Sequence, residues 1–175
     1  MEEEKEVTYF LIRNKTVAKR ESNGKNSIDY LFRDGKWVVD SDHVVWDHMV
    51  GYDPFEEEDS PYRFGSTSVL SEMDEISRDI AVRIMNQQIL ELLKNKWKAE
   101  FKSKKEEWDK VPGWPAKHVE TGFTLNGISY SLHPIDIGLT NDGWDQGFME
   151  SVQADICKDL EAYGATDFYN LGFID

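Results

Sequence analysis

Two Xaa-Gly dipeptides limit what this chain can fold into more than any other feature. Asp34-Gly35 stands between Ile28-Asp29-Tyr30-Leu31-Phe32-Arg33 and Lys36-Trp37-Val38-Val39, and Asn126-Gly127 stands between Gly122-Phe123-Thr124-Leu125 and Ile128-Ser129-Tyr130-Ser131-Leu132. The flanks are rich in β-branched and aromatic residues, and a two-residue linker of this type supplies the positive φ angles of a tight hairpin turn. Strands joined in this way are antiparallel. Further strands are expected at Val7–Ile12, ending at Asn14, at Thr16–Lys19 before Asn23-Gly24, at Ile135–Leu139 and at Asp167–Phe173.

Helical spacing takes over in the middle and near the end. Thr67-Ser68 can cap a helix, Glu72, Asp74 and Glu75 suit its positive end, and Met73, Ile76, Ile80 and Ile84 recur at helical intervals. A second apolar phase, Leu90, Leu93, Trp97, Phe101, Trp108 and Val111, follows the polar Asn86-Gln87-Gln88 and stops at Pro112-Gly113. This pattern predicts a long helix over about 68–110 that rotates its buried face or bends. A last helix, capped by Asn141 or Asp142, carries Trp144, Phe148, Val152, Ile156 and Leu160 in an i+4 row and ends at Gly164. Hairpins plus two helices give an α+β fold: an antiparallel sheet with the long central helix and the C-terminal helix packed on one face. At 175 residues the chain has the length of one domain, and a single domain over 1–175 is the expectation.

Charge and cysteine content narrow the function classes. The net charge of −14 is uneven: residues 40–80 carry −10 and residues 120–175 carry −9, while residues 94–110 carry +3. A field of this sign repels nucleic acid and anionic membrane and speeds encounter with basic proteins. The one basic stretch, Lys94, Lys96, Lys98, Lys102, Lys104 and Lys105, is diluted by Glu100, Glu106 and Glu107, and reads as a solvated helix face that pairs with acidic segments of the same chain or a second copy. No segment approaches a membrane span, and the acidic start Met1–Glu6 does not read as an export signal. The lone Cys157 sits in the last helical stripe and reads as an inert thiol in a reducing, cytoplasmic setting.

Chemistry-bearing residues concentrate in an acidic excursion over about 40–66. Asp42, His43, Asp47, His48 and Asp53 are the types a divalent metal or an acid–base pair needs. However, two histidines five apart lie about 140° apart around a helix and on opposite faces of a strand, so neither structure converges them. His118 and His133 are isolated in sequence, and no phosphate-binding glycine loop is present, so no cofactor is expected. The recurrence of Trp46, Met49, Tyr52, Phe55, Tyr62 and Phe64 argues that the excursion is ordered and packed. Without a nucleophile–base pair or cofactor loop, an enzyme is not the first reading.

The first reading is a binding protein for a basic protein partner, for example one that neutralises a toxic basic enzyme as an immunity protein or antitoxin does. Its contact residues would be Tyr52, Phe55, Glu56, Glu57, Glu58, Asp59 and Tyr62, which combine steering charge with rigid aromatic groups. One alternative is a metal-dependent hydrolase built on Asp42, His43, Asp47, His48 and Asp53. Another is a homo-oligomeric structural domain whose lysine face meets its neighbour's acidic loop.

Overall fold

The structure is a computed structural model that describes residues 5–108, 115–116, 121–137 and 144–170. The fold is α+β and its sheets are antiparallel, with a long helix and a C-terminal helix. The expected helix stop at Pro112-Gly113, His118, the Asn141 or Asp142 cap and the end of the last strand lie outside the described residues. The chain divides into two compact units, 1–85 and 86–175.

The first unit holds β1 (Glu6–Ile12), β2 (Thr16–Ser22), β3 (Ser27–Arg33), β4 (Lys36–Val39), α1 (Val44–Val50), α2 (Thr67–Leu70) and β5 (Met73–Ile76). The five strands form one sheet in the order β4-β3-β2-β1-β5. Asp34 and Gly35 have φ of 50° and 76°, the two left-handed residues that a tight hairpin turn requires. Arg13 and Asn14 also adopt positive φ, of 52° and 54°, in a hairpin without glycine whose paired ends, Ile12 and Thr16, have three residues between them. Cross-strand partners Phe10, Ala18 and Leu31 share one face of the sheet. With Ile12 and Val45 they form a buried cluster, against which Val44 and Met73 pack. Each of its larger side chains stabilises by about 1.5–3 kcal/mol when fully enclosed, and Val45, with Val44 beside it, packs α1 on the sheet.

The long helix α3 (Arg78–Trp108) is continuous, but it begins later than its apolar spacing predicts. Met73–Ile76 is a strand on the edge of the sheet, pairing with Tyr9–Ile12. Apolar residues three apart match the helical interval and lie on opposite faces of a strand, so the open side of β1 overrides the local pattern. Ile80, expected in the core, is 49% exposed, whereas Leu93, Trp97, Val152 and Ile156 are buried as expected.

The second unit adds β6 (Pro115–Ala116), β7 (Thr121–Leu125), β8 (Ile128–Leu132), β9 (Trp144–Asp145), α4 (Gln146–Glu161) and β10 (Thr166–Asn170). Its three-stranded sheet has the order β10-β7-β8, and β6 pairs with β9. Two sequence expectations change here. Pro134–Ile137 is a short 3₁₀ turn rather than the start of a strand, because Pro134 removes a ladder donor and the Asp136 carboxylate accepts from the His133 N–H at 2.9 Å. Trp144 lies in β9 rather than in the last helix, which starts at Gln146.

The polar break in α3 has a specific use. Asn86 is fully buried; its Nδ2 donates to the Leu125 carbonyl at 2.9 Å and to the Tyr130 hydroxyl at 3.1 Å, and its Oδ1 accepts from Asn126 Nδ2 at 2.8 Å. The helix is thereby fastened to the β7–β8 turn with its buried polar atoms satisfied. Further along, Asp159 of α4 accepts from Trp97 Nε1 at 2.8 Å and from Lys96 Nζ at 2.9 Å, and Asp155 accepts from Lys104 Nζ at 2.6 Å. Part of the lysine face thus pairs within the chain.

Candidate functional site

Residues 40–66 hold the helix α1, of about two turns, followed by a closed loop. Asp40 accepts from the N–H groups of Val44 at 3.0 Å and Val45 at 2.8 Å, meeting two of the donors a helix start leaves open. Asp40 is buried, which suits this role. His43 precedes the helix at φ 58°, and Gly51 ends it at φ 65°. A Cβ on Gly51 would lie 2.7 Å from the Ser66 nitrogen, so the position requires glycine for both its backbone angle and its neighbour.

After Gly51 the chain leaves and returns to the same point. Gly65 N–H donates to the Val50 carbonyl at 2.8 Å, Ser66 N–H to Gly51 at 3.0 Å, and Asp53 N–H to Arg63 at 2.8 Å. These bonds close the loop at its base, as in compact surface loops whose ends meet. Inside it, Asp53 Oδ1 accepts from Phe55 N–H at 2.9 Å and Glu56 Oε2 accepts from Ser60 Oγ at 2.9 Å. Arg63 Nη2 donates to the Tyr52 hydroxyl at 2.6 Å and its guanidinium stacks 5.1 Å from that ring, whose other neighbour is Phe64.

The loop is bonded shut at its base, but apart from Tyr52 the Phe, Tyr and Trp side chains of α1 and the loop face outward. Phe55 is 97% exposed, Tyr62 73%, Phe64 61% and Trp46 53%. Met49 and Leu70 are exposed as well. Glu57, Glu58 and Asp59 stand in solvent, while Glu56 is half-buried. The stretch 40–66 carries eight carboxylates against Arg63 alone. Of the seven residues named from sequence as contacts, Phe55, Glu57, Glu58, Asp59 and Tyr62 are exposed, whereas Tyr52 and Glu56 are half-buried and spend polar groups within the loop. Trp46, Met49 and Phe64 join the surface without having been among those seven. They were legible as apolar residues, but nothing in a sequence shows which way a loop side chain faces.

The Asp/His set is not brought together. Among the described residues no group of three or more His, Cys, Asp and Glu side chains is placed to hold a metal ion. Asp42 and His43 are exposed, and Asp53 is engaged with its own loop. His48 is buried in α1: its Nδ1 bonds the Val44 carbonyl at 2.7 Å and its Nε2 meets Glu72 Oε2 at 3.0 Å. Both ring nitrogens are thus engaged by contacts within the fold. Glu72 also accepts from Arg13 Nε at 2.8 Å. The bond from Arg13 first, and that from His48 second, hold the Glu72 carboxyl below its usual range. This trio joins α1 to the β1–β2 turn. Burial raises the Cys157 thiol above its ordinary value, which is the direction of an unreactive cysteine.

No helix among the described residues is long and apolar enough to cross a membrane. No known family model, curated protein or solved structure matches the chain.

Proposed function

We propose that the protein is a cytoplasmic binding protein that docks a basic protein partner through α1 and the loop 51–66, in a neutralising role of the immunity or antitoxin kind. One observation carries the proposal: exposed large apolar side chains and exposed carboxylates coincide on a single short segment whose base is hydrogen-bonded shut. Exposed apolar groups gathered in this way mark interaction surfaces. Aromatic residues ringed by carboxylates fit a partner with basic and apolar groups interleaved, because charge steers the encounter and desolvated rings hold the complex. A closed loop also loses less conformational freedom on binding than an open one.

The test is recovery of interacting proteins from the source cell on the immobilised full chain, at low and at moderate salt. The expected partner is basic, its capture weakens as salt rises, and it is lost with Phe55→Ala and with joint replacement of Glu57, Glu58 and Asp59 by their amides. A partner retained equally by wild type and both variants would remove this surface from the account. Metal-dependent turnover abolished by His43→Ala and by His48→Ala would replace the proposal with a hydrolase.

A further inference from the structure

We infer that the second unit binds one buried water molecule on Gln153, in a hollow between α4 and the β7–β8 hairpin. Gln153 follows the buried Val152 on α4 and is itself half-buried. Its Nε2 is buried without an acceptor, the one such side-chain atom among the described residues. A carboxamide nitrogen offers two donors, and leaving them unmet costs about 1–3 kcal/mol.

Gln153 also lines a hollow of about 10 Å³, together with Thr121, Leu132, His133, Ile137 and Met149. That volume is enough for a single water. Thr121, whose hydroxyl can both donate and accept, stands in the same wall as the amide, and a retained water needs two to four such partners. A water accepts from the amide and passes a hydrogen on, whereas a cation would face the positive end of the same amide. The structure therefore gives the hollow both the size and the chemistry of a solvent site.

The test is a crystal structure of the full chain at a resolution that shows ordered water, with bromide-soaked crystals beside it. The expected result is one oxygen peak within about 2.7–3.2 Å of Gln153 Nε2, no halide signal there, and loss of the peak in Gln153→Met, which keeps side-chain length without donors. In solution the Gln153 side-chain amide should show a direct magnetisation-transfer peak to long-lived water, absent in the variant. An empty hollow, a protein oxygen in contact with Nε2, a bromide peak, or a water unmoved by Gln153→Met would each overturn the inference. Should the variant fail to fold, the wild-type crystals and the solution signal decide alone.

Discussion

Replacing Trp97 by alanine should remove the largest single contribution of α3 to the second unit. The indole has no exposed surface, stacks on Phe101 with ring centroids 6.4 Å apart, and donates its N–H to Asp159 at 2.8 Å. Enclosed tryptophans cut to alanine cost about 3–5 kcal/mol. The lost hydrogen bond adds little to this, because Asp159 keeps Lys96 as a partner at 2.9 Å. For a chain of this size each kcal/mol moves the melting temperature by roughly 2–4 °C, so the expected fall is roughly 6–20 °C in scanning calorimetry. Trp97→Phe, which keeps a ring, should fall between wild type and alanine. Ile80→Ala serves as the control: half exposed on the same helix, it should change stability by no more than about 0.5 kcal/mol. A Trp97→Ala melting temperature within about 3 °C of wild type, or an Ile80→Ala loss of equal size, would refute the assignment of the core.

Gly51→Ala should destabilise by about 1–3 kcal/mol, since alanine meets both a left-handed φ and the Ser66 nitrogen; an unchanged denaturant midpoint would show that the loop base relaxes freely. Glu21, held down to about 2 first by Lys19 and then by Lys5 against an ordinary value of 4.5, contributes stability that is present above about pH 4.5 and lost as pH falls toward 2. The stability gap between wild type and Glu21→Gln should therefore close over that window, and a gap that stays constant would refute the Lys–Glu account. Once the proposed partner is in hand, joint neutralisation of Glu57, Glu58 and Asp59 should slow association and flatten its salt dependence. Phe55→Ala should instead speed dissociation by about 2 kcal/mol in free energy; stopped-flow and surface-binding kinetics separate the two.

Turn chemistry made the hairpins legible, because Asp34-Gly35 and Asn126-Gly127 announce a backbone geometry that few other pairs adopt. The turn at Arg13-Asn14 also uses two positive φ angles but has no glycine, so only the end of the preceding strand could be read. Periodicity misled at Met73–Ile76, where apolar residues three apart carry the helical interval although pairing with β1 makes the segment a strand. Asn86 looked like an interruption in an apolar stripe and is a fully buried tie to a turn about forty positions away, a contact that no local pattern contains. The candidate site was legible as composition, in its clustered acids and aromatics, but not as geometry. Tyr52 turns toward Arg63 and Phe64 while Phe55 faces water, and the choice is set by hydrogen bonds across the loop.

The same cross-loop bonds have a consequence for how the segment tolerates change. Because Val50, Gly51 and Asp53 are fastened to Gly65, Ser66 and Arg63, joining the ends of the loop does not depend on the identity of the residues at its tip. Lengthening a closed loop is thermodynamically mild, at about 0.6 kcal/mol for each doubling. Inserted sequence between Glu57 and Asp59 would be carried outside the bonded base, leaving α1 and the sheet beneath it undisturbed. The tip is therefore a position where length and composition can drift, or be engineered to carry a reporter peptide, at little expense to the rest of the chain.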